Sequence, residues 1–241
     1  MNPAWFPYRK DRADASVRLV CFPFAGGAAS AYRTWASKLP AQVELCAVQP
    51  PGRESRLPEA GFSDWRPYLD SLCADLSALP PLPLVFFGHS LGAVVAFEVA
   101  RRITPTRLIV SGAQAPTLSF PRATSGMDDE EFLTCVQSLG GTPAEVFAHP
   151  ELRAHFTPLL RLDFTLVERY RYVPGMALQC PLHAWGGRSD VLVHEEHLTA
   201  WSRETRGPFA LQLFEGGHFF PFKNDAVLSA LSALLMPFPR A

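Results

Sequence analysis

Short apolar runs rich in β-branched and aromatic residues recur along the chain and predict six β-strands. Leu84–Phe87 and Leu108–Ser111 are apolar almost throughout, which is typical of strands covered on both faces. The other four predicted strands are Val17–Phe22, Val43–Val48, Leu182–Trp185 and Leu211–Phe214.

Helical patterns lie between these strands. Trp65–Leu79 carries leucines at helical spacing, and Leu91–Arg102 is almost wholly apolar up to its two terminal arginines. Asn224 or Asp225 is placed to cap a final helix that runs through Leu235. Strands that alternate with helices predict the α/β class, with a mainly parallel, doubly wound sheet.

Residues 116–175 interrupt this alternation, because they contain helical patterns and no good strand. One apolar stripe ends at Gly140-Gly141, and a second contains Pro158, which is expected to kink or split its helix. The stripes consist of Phe132, Leu133, Val136 and Leu139, and of Leu152, Phe156, Leu159, Leu160, Phe164 and Val167. We expect a helical subdomain here that caps a site, between core segments 1–115 and 176–241. The alternative is a helical excursion that only enlarges the core.

Composition excludes several classes of protein. The 241 residues include 22 Lys and Arg against 23 Asp and Glu, so no net positive field attracts nucleic acid. The N-terminus lacks the pattern of a signal peptide, and no apolar run reaches the ~18–20 residues that span a bilayer. The five cysteines are scattered with no CxxC pair, which indicates reduced thiols. A cytoplasmic protein without a metal site is the expectation.

The strongest chemical signal is Gly88-His89-Ser90-Leu91-Gly92, which matches G-x-S-x-G. It directly follows a predicted strand and opens a predicted helix, which is the setting of a nucleophile elbow. Such a turn places the Ser90 hydroxyl at the carboxyl edge of the sheet and aims the Leu91 N–H at an anion that forms beside it. Ser90 is therefore the predicted nucleophile. The alternative is a serine that merely caps the helix.

A serine nucleophile needs a base, and seven histidines compete for that role. His218 follows the last predicted strand after Gly216-Gly217, which gives the backbone freedom to turn the imidazole over the same sheet edge. Asp190 follows the fifth predicted strand, so the order Ser…Asp…His of hydrolases is satisfied. The alternative acids are Glu195, Glu196 and Glu215, and the other histidines are His89, His149, His155, His183, His194 and His197.

A second N–H donor for an oxyanion is expected in the Gly-rich loop after the first strand. The small residues of Phe24–Ala28 let a backbone N–H approach a reacting carbonyl. Ala25 is the predicted donor beside Leu91, with Phe24 as the alternative. The sequence contains no P-loop, dinucleotide fingerprint or metal-ligand motif, so no cofactor is expected.

Taken together, these segments resemble the type II thioesterases, the stand-alone α/β-hydrolases that accompany polyketide and non-ribosomal peptide synthetases. The Pro-Gly-Arg and Gly-His-Phe-Phe segments are far more specific than the elbow. The matching segments are Phe22–Ala28, Gln49–Arg56, Phe87–Ala93, Leu160–Phe164, Trp185–Asp190 and Gly216–Phe220. Pro50 stands where the family usually has an aromatic residue, a departure that does not touch the catalytic positions.

The resemblance implies a function for nearly the whole chain. Such enzymes hydrolyse acyl groups from the phosphopantetheine arm of carrier proteins, either to clear a stalled unit or to release a product. By similarity, Ser90, Asp190 and His218 are the catalytic triad, and the helices of 116–175 form a lid over an acyl channel. Phe156 and Leu160 are the residues chosen to line that channel.

The expected partners are acyl or peptidyl carrier proteins, with no nucleic acid and no membrane, and the expected state is a monomer. Arg53, Arg56 and Arg122 are candidates for contacting a carrier near the entrance. Two other functions remain open. A small-molecule carboxylesterase or lipase would use the same triad, and a non-catalytic module that binds a carrier would need only the fold.

Overall fold

Six parallel strands form one sheet in the order β2-β1-β3-β4-β5-β6. A computed structural model describes residues 3–10, 12–118, 124, 126–141 and 147–236. The strands are β1 (Val17–Phe22), β2 (Val43–Ala47), β3 (Leu84–His89), β4 (Arg107–Ser111), β5 (Leu182–Gly187) and β6 (Phe209–Phe214). Because every neighbouring pair is parallel, all the strands end at the same edge of the sheet.

Helices cover both faces of this sheet. The described α-helices are α1 (Trp65–Ser77), α2 (Leu91–Ala100), α3 (Asp129–Leu139), α4 (Pro150–Arg169), α5 (Glu195–Thr199) and α6 (Asp225–Leu235). Val17 and Leu19 of β1 pack on one side with α6, whereas Val20 and Phe22 pack on the other with α1 and α2. Burial on both faces explains why the central strands are apolar throughout. The predicted α/β class with a parallel, doubly wound sheet is confirmed.

Helices α3 and α4, which we call the α3–α4 pair, lie between β4 and β5 in the chain and have a small apolar cluster of their own. The cluster consists of Phe132, Leu133, Val136 and Leu160. Helix α3 begins with a capping box, in which Asp128 accepts from the Glu131 N–H at 2.9 Å and Glu131 accepts from the Asp128 N–H at 3.2 Å. It ends at Gly140, whose φ of 75° permits the left-handed cap.

Pro158 does not split α4, which runs continuously from Pro150 to Arg169. The proline removes one backbone N–H, at a cost of about 3 kcal/mol in a helix interior. Tertiary packing of the buried Thr157, Leu160 and Leu166 holds the helix together on both sides of it. The predicted split at Pro158 is therefore wrong, whereas the alternative of a kink stays a prediction.

Candidate active site

Ser90 occupies a sharp turn between β3 and α2. Its backbone has φ 55° and ψ −120°, a conformation that costs a non-glycine residue about 1–3 kcal/mol. The Ser90 N–H donates to the Ser111 carbonyl oxygen at 2.8 Å, which ties the turn to the end of β4. At this turn, the chain leaves the sheet edge, where Ser90 lies, and enters α2.

Close backbone approach explains the two glycines that flank this turn. A Cβ at Gly88 would lie 2.1 Å from the Gly92 carbonyl oxygen, and a Cβ at Gly92 would lie 2.1 Å from the Phe22 carbonyl oxygen. Both contacts are with backbone, so no side-chain adjustment relieves them. The G-x-S-x-G pattern is thus required by packing between the turn, α2 and the end of β1.

Asp190 and His218 are joined at the same edge, after β5 and β6. His218 Nδ1 lies 2.8 Å from Asp190 Oδ2, and both side chains are buried. Asp190 Oδ1 accepts from the N–H groups of Leu192 at 2.9 Å and Val193 at 3.3 Å. Since an ionised carboxylate only accepts, Nδ1 carries the shared proton and Nε2 is left as the basic nitrogen.

Ser90 and His218 line one cavity of about 260 Å³, together with Ala25 and Leu91. Its other lining residues are mostly apolar and include Leu139 of α3, Phe164 and Val167 of α4, and the segment 191–193. Within the part of the chain that the structure describes, no hydrogen bond joins Ser90 to His218. Hydrogen bonds of this kind commonly tighten only when a substrate binds.

The loop 23–28, which follows β1, reaches the same cavity through Ala25. The Gly26 N–H donates to Asp163 Oδ2 at 2.6 Å, and the Gly27 N–H donates to the Phe24 carbonyl oxygen at 2.8 Å. The Phe24 ring packs against Phe219, with centroids 4.9 Å apart, rather than lining the cavity. Ala25 does line it, so this arrangement favours Ala25 over Phe24 as a donor.

Phe156 and Leu160, chosen from sequence as channel residues, do not line the Ser90 cavity. They line a neighbouring cavity of about 370 Å³, which shares only Ala25 with the first among the described residues. Whether an acyl chain occupies this second cavity stays a prediction. Phe164 and Val167, about two and three turns beyond Phe156 on the same helix, line the cavity of Ser90.

His89 lies behind His218 in a buried aromatic environment. The two ring centroids are 5.1 Å apart, and His89 Nδ1 lies 3.1 Å from Ser111 Oγ. Burial lowers the pKa of His89 well below its ordinary value, and the neighbouring His218 lowers it further. His89 is therefore neutral at physiological pH and provides an uncharged wall against the imidazole of His218.

Arg53 and Arg56 are buried, which contradicts their choice as carrier-binding residues. Arg53 is 5% exposed and pairs with Asp163, whereas Arg56 is 7% exposed and donates to the Gln49 carbonyl oxygen at 3.0 Å. The Arg56 guanidinium also lies 4.4 Å from the ring centre of Trp5. These guanidinium groups have their partners inside the protein, so no surface is left for docking. Arg122 lies outside the described residues.

Two residues at the site were not singled out from sequence. Gly112 has φ 57°, and a Cβ there would lie 2.6 Å from His89 Cε1 and 3.4 Å from His218 Cε1. Asp163, which lies on α4, accepts a hydrogen bond from the Gly26 N–H. A carboxylate on an otherwise apolar helical stripe was the available signal for Asp163, whereas nothing in the local sequence marks Gly112.

The described residues contain no group of three or more His, Cys, Asp or Glu side chains arranged to hold a metal ion. No α-helix among the described residues is long and apolar enough to cross a membrane.

Comparison with known proteins gives concordant matches over most of the chain. A family model described as Thioesterase domain matches residues 17–235. Gramicidin S biosynthesis protein GrsT of Aneurinibacillus migulanus is 34% identical over 227 residues, covering 91% of this chain and 89% of that protein. The structure of the type II thioesterase BorB from the borrelidin biosynthetic cluster is 38% identical with a TM-score of 0.85, covering 95% of this chain and 96% of that one.

A further relative carries a different kind of name. Linear gramicidin dehydrogenase LgrE of Brevibacillus parabrevis is 38% identical over 239 residues, covering 94% of this chain and 90% of that protein. Its name describes a dehydrogenase, whereas the family model that matches this chain describes a thioesterase domain.

Proposed function

The chain belongs to the thioesterase domain family, with an α/β-hydrolase fold, and we propose that Ser90, His218 and Asp190 carry out its hydrolysis of thioesters. The observation that carries this assignment is the 2.8 Å contact between His218 Nδ1 and Asp190 Oδ2 beside a cavity that Ser90 also lines. Three separate loops supply these side chains. Each loop follows a different strand, at the edge of the sheet where the strands end.

In the proposed reaction, His218 Nε2 takes the Ser90 proton as Ser90 Oγ attacks the thioester carbonyl carbon. Asp190 holds the imidazole in the required tautomer and stabilises the imidazolium. The oxyanion accepts from the N–H groups of Leu91 and Ala25, each such donor being worth about 2.7–4 kcal/mol of barrier. Collapse breaks the C–S bond, and the leaving thiolate takes the proton from His218, which leaves a free thiol and an acyl-serine. His218 then deprotonates a water that attacks the acyl carbonyl carbon, and collapse of this second intermediate returns the proton to Ser90 Oγ and releases the carboxylic acid.

The proposed substrate is an acyl group on the phosphopantetheine arm of a carrier protein in polyketide or non-ribosomal peptide synthesis. The names of these relatives associate GrsT with gramicidin S biosynthesis and BorB with a borrelidin biosynthetic cluster, which supports this choice. The mostly apolar lining of the Ser90 cavity suits an acyl chain rather than a charged group. Editing of stalled units and release of a product are both consistent with this chemistry.

The α3–α4 pair, within the proposed lid subdomain 116–175, covers the acyl end of this site. Leu139, Phe164 and Val167 contribute its side of the cavity. Segments 1–115 and 176–241 form the proposed core. The proposed enzyme needs no cofactor of its own, because the substrate carries the phosphopantetheine. We place it in the cytoplasm as a monomer, and the five scattered cysteines with no CxxC pair agree with a reducing compartment.

The decisive experiment compares Ser90→Ala with wild type on a panel of acyl-loaded carrier proteins, with free holo-carrier measured by mass spectrometry. We expect release by wild type and a loss of at least about 10⁴-fold in the variant. Ser229→Ala, on the exposed face of α6, is the matched control and should behave as wild type. Turnover by Ser90→Ala would overturn the assignment. Faster cleavage of a matched simple ester than of the carrier-bound thioester would instead favour a carboxylesterase.

A further inference from the structure

A buried ion pair joins α4 to the segment after β2. Arg53 Nη1 lies 2.7 Å from Asp163 Oδ2, and Arg53 Nη2 lies 2.9 Å from Asp163 Oδ1, so the contact is bidentate. Both residues are only 5% exposed. Burial alone would lower the pKa of Arg53, but the charge and hydrogen bonds of Asp163, with smaller contributions from Tyr68 and Glu54, together raise that pKa. The guanidinium is therefore charged and shielded from water.

Both members of the pair also bind the backbone of the loop 23–28. Asp163 Oδ2 accepts from the Gly26 N–H at 2.6 Å, and Arg53 Nη1 donates to the Gly27 carbonyl oxygen at 3.0 Å. The turn itself is closed by the Gly27 N–H, which donates to the Phe24 carbonyl oxygen. With φ 76° at Gly26, the third residue, this is a type II turn.

The direction of one peptide bond depends on these contacts. Type I and type II turns differ by a flip of their central peptide, which here joins Ala25 to Gly26. While Asp163 accepts from the Gly26 N–H, that peptide is held in the type II orientation. If Asp163 were absent, the Gly26 N–H would have no acceptor and the central peptide would be free to rotate. The Ala25 N–H belongs to the preceding peptide, which shares the Ala25 Cα with the central one. A loop released at Gly26 and Gly27 would therefore no longer hold Ala25, which lines the Ser90 cavity, in a fixed position.

We propose that the Arg53–Asp163 pair is a positioning device, which anchors the loop backbone at Gly26 and Gly27 and so holds the neighbouring Ala25, with its N–H, in place for the oxyanion. This inference rests on the function proposed above for Ser90. Asp163 directly precedes Phe164, which lines the Ser90 cavity. The same contact therefore connects the loop 23–28 to α4, the helix that borders the proposed substrate site. Neither residue touches the reacting atoms, and both act through the loop backbone.

A purely structural ion pair would behave differently on removal. Replacing a buried ion pair by apolar residues of similar volume is often neutral for stability or even stabilising. The double variant Arg53→Met/Asp163→Leu therefore separates the two roles, because it fills the space but leaves the Gly26 N–H without its acceptor. The melting temperature of this variant measures the effect on packing, and its kcat measures the effect on the position of the loop.

The test measures kcat, KM and the melting temperature of this double variant with an acyl N-acetylcysteamine thioester. We expect a folded protein whose kcat is about 10²-fold lower, near the loss seen when one oxyanion donor is removed, with little change in KM. Affinity for an acyl trifluoromethyl ketone, which forms an oxyanion on the nucleophilic serine, should fall by a similar factor. Wild-type kcat and inhibitor affinity in the folded double variant would overturn the proposal.

Asp163→Asn is the second variant and keeps the test valid if the double variant does not fold. It retains an oxygen for the Gly26 N–H but turns an amide N–H₂ toward Arg53, so we expect a smaller fall in kcat, about tenfold, with KM unchanged. Wild-type kcat in this variant would contradict the proposal.

Asp129→Asn is the matched control, because it removes the exposed ion pair to Arg161 between α3 and α4 without touching the loop. It should keep wild-type kcat. Ser90→Ala separates the two proposals: retained turnover there would refute the proposed function. Lost turnover there, with wild-type kcat in both Asp163 variants, would refute only the positioning role.

Discussion

The sheet edge and the α3–α4 pair border the same cavity but are held in place by different forces. Ser90, Asp190 and His218 follow strands whose positions are set by continuous backbone hydrogen bonding. Helix α4 is connected to the core by separate side-chain contacts, which include Arg53–Asp163, Trp65–Leu166 and Tyr170–Glu98. From this comparison we propose that the chemistry resides at the sheet edge, whereas substrate fit depends on the α3–α4 pair.

The largest expected effect on kcat comes from a substitution at the sheet edge. Asp190→Asn should lower kcat by about 10⁴-fold, because the amide no longer fixes the His218 tautomer or stabilises the imidazolium. The circular dichroism spectrum and the melting temperature should change little, since the amide oxygen can still accept hydrogen bonds from the N–H groups of Leu192 and Val193. Steady-state kinetics on an acyl thioester measures the effect. A fall of less than tenfold would assign the orienting role to another acid.

A smaller, substrate-dependent effect is expected from the α3–α4 pair. Val167→Trp should shorten the Ser90 cavity and lower kcat/KM for an octanoyl thioester relative to an acetyl thioester. Each excluded CH₂ costs about 0.8 kcal/mol, so three of them give a change of about 50-fold. Phe156→Trp is the matched control on the same helix, because it enlarges a residue of the neighbouring cavity. If only Phe156→Trp changed the length preference, the acyl chain would occupy that second cavity.

The pH dependence of stability should come from the sheet rather than from the α3–α4 pair. Burial lowers the pKa of His183 to about 4, with a further contribution from Arg107, and lowers the pKa of His89 well below its ordinary value. The unfolded chain therefore binds more protons, and the free energy of unfolding falls as pH drops from about 6.5 toward 4. The slope is at most about 1.4 kcal/mol per pH unit for each histidine.

Urea unfolding at several pH values checks this slope. His183→Gln should reduce it between pH 6.5 and 4, whereas His155→Gln, on the exposed face of α4, should leave it unchanged. An identical slope in wild type and His183→Gln would show that this histidine is not the source.

The smallest effect is expected where α4 meets the core. Trp65 Nε1 donates to the Leu166 carbonyl oxygen at 2.7 Å, one of the four carbonyls at the end of α4 that lack an intrahelical partner. Trp65→Phe should cost about 1 kcal/mol and speed amide exchange in α4 while leaving β3 and β4 protected. Equal acceleration in the strands would mean that the helix does not open independently.

The sequence predicted elements well where a local pattern and the tertiary environment agree. Strand β1 has the predicted bounds, and the final helix is capped by Asn224, which accepts from the Ala226 N–H at 3.0 Å. Strand β5 continues through Gly186-Gly187, two residues past its predicted end at Trp185. A Cβ at Gly186 would lie 2.3 Å from Leu198 Cδ1, and one at Gly187 would lie 2.5 Å from the Gly216 carbonyl oxygen. Contacts with residues distant in the chain require glycine at these two positions, and a local sequence pattern does not show such contacts.

The candidate triad could be chosen from sequence because each member stands on a turn directly after an apolar strand, and parallel strands end at one edge. Which residues of α4 border Ser90 could not be chosen in this way, since the stripe offers apolar side chains at both of its ends. Its division between two cavities depends on where the helix lies against the core, and the contacts that hold it there include that of Arg53 with Asp163, 110 residues apart in the chain. Local periodicity determines which side of a helix is buried, but only three-dimensional packing determines what it is buried against.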